Sequence, residues 1–175
     1  MAIGIRRARE EEAESCWRIR NLAIVGQCQA CYPVSAITAW TPETMPQDYR
    51  QTIRRNPFYV AETPQGQLLA TGYLDVARQR VEAMFTLPEA MRQGLAARIM
   101  TRIKQEALTR GLRSIALSST PNAQGFYLKQ GFQTVCNASH FSPAADYTFD
   151  CVEMVYLKIL LYPREVLVTG SIGGR

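Results

Sequence analysis

The feature that most constrains this fold is a change of hydrophobic period at Pro88. Before it, three β-rich runs cover residues 58–62, 68–75 and 81–87, and a turn of a few residues separates the first two. After it, residues 94–110 carry apolar side chains at helical spacing and end at Gly111, a suitable stop for a helix. Strands that lead directly into a long helix predict a sheet with helices packed against it.

The segments before residue 58 predict one strand and three helices. A short first strand is predicted at residues 3–5, and the acidic residues 10–12 then open a helix. Two prolines break the next stretch, so only short helices are expected at residues 35–40 and 48–55.

The segments after residue 111 predict strands at residues 114–118, 132–135 and 152–159. Asn122 is placed to cap a short helix that runs to about residue 129 between the first two of these strands. The complete order predicts an α/β (α+β) fold in which a mixed sheet carries helices on its faces. Residues 1–160 are expected to form one domain, and residues 161–175 a loose tail without helical or strand period.

Composition and charge narrow the class of protein. At 175 residues, 47% of them hydrophobic, the chain can bury one full core but not two ordinary ones. The net charge of +5 is spread along the chain, which suits an anionic cofactor better than a nucleic-acid groove. No apolar run approaches the roughly 18 residues that span a bilayer, and the first residues are charged instead of forming an apolar signal. We therefore expect a cytoplasmic protein that binds neither nucleic acid nor membrane.

Cysteine and histidine usage predicts neither a disulfide framework nor a metal site. The five cysteines are an odd number at irregular spacing, which indicates reduced thiols. Cys28 and Cys31 form a C-x-x-C pair, but structural zinc needs two further ligands, and His140 is the only histidine. We interpret the pair as buried or partly buried inert thiols near the end of a helix, and we expect no metal. A lone histidine in a predicted loop is most often exposed, so His140 is given no role.

The junction between the strand ending at Leu87 and the helix starting at Gly94 is a candidate anion site. The first turn of a helix offers unpaired backbone N–H groups and the positive end of the helix dipole. Gly94 and Ala96 leave room for a bulky anion, and Arg92 and Arg98 could add positive charge. A glycine at a helix start is also common in ordinary capping, so this pattern alone does not choose between the two interpretations.

Two motifs at and beyond this junction are typical of one enzyme family. The pattern Glu-x-x-x-Val-x-Pro followed by Gln/Arg-x-x-Gly-x-Gly/Ala is matched by Glu82, Thr86, Pro88, Gly94, Leu95 and Ala96. The pattern Asn-x-x-Ala-x-x-Phe-Tyr-x-x-x-Gly-Phe is matched, with slightly altered spacing, by Asn122, Ala123, Phe126, Tyr127, Lys129, Gly131 and Phe132. On these motifs the chain, over roughly residues 3–160, resembles the GNAT (Gcn5-related N-acetyltransferase) superfamily.

The resemblance implies a fold and a cofactor. The fold would be a mostly antiparallel mixed sheet with one splayed parallel strand pair, and acetyl-CoA would lie in the gap between that pair. Its pantetheine arm would pair with backbone groups of Phe85, Thr86 and Leu87, and Asn122 would help to hold it. Its pyrophosphate would rest on the loop and first helical turn, formed by Arg92, Gln93, Gly94, Leu95, Ala96 and Ala97. The family's Gln or Arg falls on Met91, so Arg92, Gln93 or the loop backbone would have to compensate.

The resemblance also implies catalytic roles for two residues in an N-acetyltransferase. Tyr127 matches the family's usual general acid, which protonates the departing thiolate, and Glu82 matches a common general base for the amine. Without the motif, Tyr127 is better interpreted as a half-buried aromatic residue beside Phe126, and with the motif the catalytic interpretation is preferred. Glu82 is equally well a base and a solvated or paired strand carboxylate. A backbone N–H near Thr86 is the candidate for polarising the thioester carbonyl.

The acceptor amine is left open by the sequence. Tyr32, Pro33 and Trp40 are similar to a Tyr-Pro…Trp pattern in small bacterial GNAT proteins of uncertain substrate, and Tyr32 and Trp40 either line the acceptor pocket or pack helices onto the sheet. A polyamine, an aminoglycoside, an amino acid and a protein amine all remain possible, with a small molecule preferred, and the family permits a homodimer. Met91 motivates one alternative, a non-catalytic binding or regulatory module of the same fold.

Overall fold

The computed structural model describes residues 2–157, which form seven strands and five helices. In chain order these are β1 (Gly4–Arg7), α1 (Ala13–Gln27), α2 (Val34–Trp40), α3 (Tyr49–Arg55), β2 (Phe58–Glu62), β3 (Leu68–Asp75), β4 (Arg80–Thr86), α4 (Leu95–Thr109), β5 (Ser114–Ser119), α5 (Gln124–Lys129), β6 (Gln133–Ser142) and β7 (Tyr147–Leu157). Short 3-10 turns precede α1, α4 and α5. Both β2 and β3 lie at the residues that the sequence predicted.

All seven strands form one mixed sheet. Its strand order is β1-β2-β3-β4-β5-β7-β6, and every neighbouring pair is antiparallel except β4 and β5. The predicted fold class, a mostly antiparallel mixed sheet with one parallel pair, is therefore confirmed.

Helices cover both faces of this sheet, as β2 shows directly. Successive side chains of a strand point to opposite faces. Phe58 and Val60 pack in one cluster with residues of α1 and α3, whereas Tyr59 and Ala61 belong to the cluster that contains Ile99 of α4. Because both faces of β2 are buried, the strand is a nearly continuous apolar run instead of an alternating one.

The parallel pair β4 and β5 separates almost as soon as it forms. Arg80 and Ala116 are the one pair in register between the two strands, among the described residues. In β4, Ala83 and Met84 both lie opposite Gly72 of β3, and Ala83 has a left-handed backbone with φ of 53°. Such a bulge bends the strand that carries it. We attribute the separation of β4 from β5 to this bend, which leaves a wedge between the strands.

Gly72 is the residue that makes the bulge possible. A Cβ at this position would overlap Sδ of Met84 and lie 2.8 Å from Cγ2 of Ile99. The absent side chain therefore provides the space into which Met84 is turned, between β3 and α4.

The hairpin of β6 and β7 is longer than the sequence predicted. Strands were expected at residues 132–135 and 152–159, but the pairing extends to Ser142 in β6 and begins at Tyr147 in β7. β6 is the edge strand, and most of its residues are exposed on both faces. It therefore lacks the alternation of apolar and polar residues by which a strand is recognised.

Three smaller predictions have different outcomes. His140, expected in a loop, lies on β6. Asn122 does not cap α5, which begins after a 3-10 turn with no side-chain cap. Gly111 and Gly131 do end α4 and α5, with φ of 73° and 86°. The predicted tail at 161–175, and residues 158–160 before it, lie outside the described residues.

All five cysteines are free thiols. Cys28 directly follows α1 and is buried, and Cys31 is half-buried, as predicted for the C-x-x-C pair. Within residues 2–157, no helix has the length and apolarity needed to cross a bilayer.

Candidate active site

Three adjoining cavities open from the wedge between β4 and β5. The first, of about 670 Å³, faces the start of α4 and is named the α4 cavity. The second, of about 190 Å³, lies where β4 and β5 separate and is named the central cavity. The third, of about 510 Å³, faces the β6–β7 hairpin and is named the hairpin cavity.

Shared lining residues join these cavities in a row. The α4 and central cavities share Gln27, Met84, Asn122, Ala123 and Tyr127. The central and hairpin cavities share Trp40, Glu82, Ser118 and Thr120. A continuous path therefore leads from the start of α4, past Tyr127 and Glu82, to the hairpin.

The α4 cavity is lined by the loop and first turn that the sequence predicted to bind an anion. The first backbone hydrogen bond of α4 runs from the N–H of Arg98 to the carbonyl of Gly94, at 3.1 Å, so the N–H groups of residues 95–97 have no partner within the helix. The loop curls through two left-handed residues, Arg92 with φ of 61° and Gly94 with φ of 73°. Curled backbone of this kind next to a helix N-terminus favours anions.

Most of the predicted cofactor residues line this cavity, and three do not. Those that line it are Thr86, Arg92, Gly94, Leu95, Ala96, Ala97 and Asn122. Gln93 is exposed outside the cavity, and Phe85 lines the central cavity instead. Leu87 is buried, and its N–H donates to the carbonyl of Leu69 at 2.9 Å, so that group is not free to pair with a cofactor.

The two arginines near the loop differ in what their side chains contact. Arg92 lines the α4 cavity beside Met91, the residue that replaces the family's Gln or Arg. Arg98, in contrast, donates to the carbonyl of Ile3 at 2.7 Å and does not line the cavity. Arg92 is therefore the cation that the α4 cavity offers among the loop residues, and the predicted help from Arg98 is not supported by this geometry.

Gln27 is a site residue that the sequence did not indicate. Its Nε2 donates to the carbonyl of Thr86 at 2.9 Å and so ties the last residue of α1 to the last residue of β4. The two elements approach closely because residue 26 is glycine, where a Cβ would lie 2.8 Å from Cγ of Pro88. A contact between residues 59 positions apart leaves no local signal in the sequence.

Tyr127 lies between the α4 and central cavities. Its ring packs against Phe126 and Phe132, and 8% of the residue is exposed. Its hydroxyl makes no hydrogen bond with any residue of the described chain. The hydroxyl oxygen is not fully enclosed by protein, and Tyr127 lines both cavities, so we infer that the hydroxyl is accessible from them. Burial raises the pKa of Tyr127, and the nearby charge of Glu82 raises it further. The phenol therefore stays protonated and available as a donor.

Glu82 lies where the central and hairpin cavities meet. Its carboxyl is surrounded by protein on the cavity walls, and this desolvation raises its pKa, while the neighbouring Arg80 opposes the rise. The side chain keeps 40% of its exposure because the cavity itself is open to solvent. The Ala83 bulge follows directly, and its carbonyl accepts a hydrogen bond of 2.8 Å from Oγ1 of Thr71.

Asn122, in the turn before α5, contacts the segment that follows α1. Its Oδ1 accepts a hydrogen bond from Sγ of Cys31 at 3.6 Å. The contact holds the exposed Asn122 side chain at the boundary of the α4 and central cavities. Asn122 is not the cap of α5 because it lies inside the 3-10 turn Pro121–Ala123 that precedes this helix.

The two predicted acceptor residues both pack and line a cavity. Tyr32 and Trp40 line the hairpin cavity, and their rings contact Phe149 of β7 with centroids 4.9 and 4.5 Å apart. The Tyr32 hydroxyl donates to the carbonyl of Asp150 at 2.6 Å. The two interpretations left open by the sequence are thus compatible, because the cluster that fixes α2 onto the hairpin also forms the wall of a cavity.

The hairpin cavity contains a cluster of charged and polar side chains whose contacts were not predicted from the sequence. Nη2 of Arg80 donates to Oγ of Ser118 at 2.6 Å and to Oε2 of Glu153 at 3.1 Å, and Ser118 donates to the other oxygen of Glu153. Arg80 also lies beside Glu82. Arg78 and His140 line the same cavity.

Solved structures share this fold. A GCN5-related N-acetyltransferase from Rhodopseudomonas palustris is 15% identical, with a TM-score of 0.80 over 90% of this chain and 97% of that one. The N-acetyltransferase PaiA from Thermoplasma acidophilum, in complex with coenzyme A, is 17% identical, with a TM-score of 0.70 over 90% of this chain and 100% of that one. A phosphinothricin acetyltransferase from Sinorhizobium meliloti, in complex with acetyl-CoA, is 18% identical, with a TM-score of 0.62 over 93% and 97%. At these identities the similarity is one of fold.

The family assignment comes from the sequence itself. No curated protein matches the chain. A family profile described as "Acetyltransferase (GNAT) domain" matches residues 27–142, which is more than half of the chain and includes both motifs. The chain therefore belongs to the GNAT family and is an acetyl-CoA-dependent N-acetyltransferase.

Proposed function

We propose that the row of three cavities is the path of the reaction, with acetyl-CoA in the α4 cavity and the amine in the hairpin cavity. One observation carries the proposal: Tyr127 and Glu82, the two candidate catalytic groups, both line the small central cavity in which the two larger ones meet. A thioester entering from one side and an amine entering from the other would come together between them.

The pyrophosphate would bind at the start of α4. Unpaired N–H groups of residues 95–97, the curled loop and the Arg92 side chain all favour an anion there. These contacts come chiefly from the backbone, so Met91 in place of Gln or Arg removes one side-chain donor without removing the site. Asn122 and Thr86, on opposite walls, are placed to contact the pantetheine arm.

The arm would follow the edge of β4 that the bulge separates from β5. Leu87 and Leu69 are already paired, and the Thr86 carbonyl accepts from Gln27, so these groups hold β4 in place instead of binding the cofactor. Ala83 and Met84, at the bulge, are among the β4 residues that line the central cavity. We propose that an N–H of this segment, rather than one near Thr86, polarises the thioester carbonyl.

The chemical step is a direct transfer. Glu82 would accept a proton from the ammonium, directly or through water, and the neutral amine would attack the thioester carbonyl. A carbon–nitrogen bond forms, and collapse of the tetrahedral intermediate breaks the carbon–sulfur bond. The departing thiolate would then take the proton of the Tyr127 hydroxyl, giving free coenzyme A and the acetylated amine. The attacking nitrogen still carries an extra proton after the bond forms, and it releases that proton to solvent as the amide is produced. Solvent restores the proton on Tyr127 and takes up the one held by Glu82, so one proton is released overall.

The cofactor step is tested by thermal unfolding with and without acetyl-CoA. A ligand that binds the folded chain alone must raise the melting temperature as its concentration passes the dissociation constant. We expect a concentration-dependent rise in the wild type and a smaller rise in Gly94→Val, because a β-branched residue is strained at φ of 73° and would narrow the cavity. An unchanged melting temperature at millimolar acetyl-CoA would overturn the proposed cofactor site.

A further inference from the structure

The hairpin cavity has the position and size of an acceptor site. It meets the central cavity at Glu82, on the side away from the start of α4. A molecule that enters here reaches the proposed base without displacing a cofactor from the α4 cavity. Its volume of about 510 Å³ lies within the range of small-molecule sites, about 300–1,000 Å³. The acceptor is therefore expected to be small.

The carboxylates of this cavity are not arranged for a polyamine. Glu153 receives Arg80 on one oxygen and Ser118 on the other, so both its oxygens are already used. Glu82 is left as the carboxylate that faces the reaction path, among the described lining residues. Since a second ammonium group needs a second available carboxylate, a substrate with several amines finds one partner here and not two.

Arg78 supplies the opposite charge at the rim of the same cavity. Its Nε lies 3.9 Å from Oδ2 of Asp75, and its two terminal nitrogens have no partner within residues 2–157. The backbone N–H of Arg78 donates to Oδ1 of Asp75 at 3.0 Å within the turn between β3 and β4. The side chain is 76% exposed at the mouth of the cavity, and its terminal nitrogens have the fork geometry that suits a carboxylate.

An apolar wall completes the cavity. Tyr32, Trp40 and Phe149 contact one another in edge-on and tilted arrangements and line the side formed by α2 and β7. Tyr32 and Phe149 belong to a buried cluster, and the partly buried Trp40 packs against it. The wall offers a surface to an apolar or aromatic side chain of a ligand.

We propose that the acceptor is a small amino acid-like zwitterion, whose amine lies at Glu82, whose carboxylate binds Arg78 and whose apolar side chain packs against Tyr32, Trp40 and Phe149. This inference rests on the proposed function and narrows it to a substrate class. A plain amine satisfies Glu82 but leaves Arg78 without a partner, and a polyamine lacks a second carboxylate.

The test compares matched acceptors that differ by the carboxylate alone. Phenylalanine and 2-phenylethylamine, and leucine and isopentylamine, are offered at saturating acetyl-CoA, and release of free thiol is followed. We expect kcat/KM to be about tenfold to a hundredfold higher for each amino acid, the effect of one charge-assisted contact. Spermidine is included and should be used no better than a plain amine. Equal or better use of the decarboxylated amines would overturn the proposal.

Two variants locate the effect at Arg78. Arg78→Gln should lower kcat/KM for the amino acid relative to that for the decarboxylated amine, so that the ratio of the two falls from about tenfold or more toward one. Arg55→Gln is the matched control, since it removes one exposed arginine on α3, outside all three cavities. A preference that survives in Arg78→Gln would overturn the role of Arg78.

The substrate class and the proposed function fail in distinguishable ways. If acetyl-CoA raises the melting temperature but no amino acid in the panel releases thiol, the acceptor class is wrong and the cofactor site stands. If acetyl-CoA gives neither a shift nor thiol release with any acceptor, the proposed function itself is wrong, and the acceptor class falls with it.

Discussion

Nε of Arg80 lies 3.5 Å from Oε1 of Glu82, and a terminal nitrogen of the same guanidinium lies 3.1 Å from Oε2 of Glu153. The side chain thus joins β4 to β7, and through Ser118 to β5, at the point where β4 and β5 separate. Its position fixes the proposed base on one side, while its charge opposes the desolvation that raises the pKa of Glu82. Arg80 is therefore a positioning residue for Glu82.

Arg80→Gln should move the acidic limb of the pH profile of kcat/KM to higher pH. Arg80 lowers the pKa of Glu82, so its removal lets that pKa rise, and a smaller fraction of Glu82 is ionised at any pH within the limb. Arg80→Lys keeps the charge and should give a smaller displacement. Arg55→Gln, remote from the site, should leave the limb where it is. A limb that stays in place in Arg80→Gln would exclude electrostatic control by this residue.

Glu82→Gln should flatten the acidic limb and stabilise the folded chain at neutral pH. Because desolvation raises the pKa of Glu82 in the folded state, the carboxyl favours folding while it is protonated, and this contribution is lost as pH rises through the folded pKa. The melting temperatures of wild type and variant should therefore differ at pH 7 and converge below the ordinary pKa of a glutamate. A limb retained in the variant would place the base elsewhere.

Tyr127→Phe should lower turnover at saturating substrates by about 10²-fold or more, the usual contribution of a general acid. Affinity for acetyl-CoA should change little, because the ring and its packing against Phe126 and Phe132 remain. Tyr49→Phe is the matched control, since it removes a buried hydroxyl that has no hydrogen-bond partner in the described chain. That variant should keep full turnover and gain about 1 kcal/mol of stability. Unchanged turnover in Tyr127→Phe would eliminate Tyr127 as the acid.

Gly72→Ala should destabilise the chain by roughly 1–3 kcal/mol, because the added methyl group overlaps Met84 and crowds Ile99 in a packed core. Displacement of Met84 should also disturb the wall that it forms in the central and α4 cavities. Denaturant unfolding measures the first effect and acetyl-CoA affinity the second. Gly125→Ala in α5, where a Cβ meets no neighbour, should instead be neutral or stabilising. A Gly72→Ala variant as stable as the wild type would contradict the close packing of Met84 and Ile99 against Gly72.

Much of the fold could be predicted because its signals are local. The runs that became β2 and β3 are bounded by turn residues, and the helical spacing before Gly111 marks α4 to within one residue at each end. β6 was largely missed because an exposed edge strand has no apolar alternation, and His140 was placed in a loop for the same reason.

The candidate site could be predicted where residues lie within motifs, and could not where they meet through tertiary structure. The start of α4 was indicated by the local pattern of a strand, a loop and a helix, and Glu82 and Tyr127 by their positions in motifs that resemble those of the family. Gln27 contacts a residue 59 positions away and Arg80 one 73 positions away, so neither could be assigned a role before the sheet was assembled. The bulge at Ala83 was also missed, since alanine carries no preference for a left-handed backbone.

The single register pair between Arg80 and Ala116 has a mechanical consequence for the sheet. Strands β1 to β4 form one hydrogen-bonded half and strands β5 to β7 another, and little backbone bonding crosses between them. Acetyl-CoA in the wedge would contact both halves and act as a cross-link that the free chain lacks. We therefore expect amide hydrogens of β4 and β5 to exchange more slowly in the loaded enzyme than in the free one. The bound coenzyme would then contribute to the mechanical continuity of the sheet as well as to the chemistry.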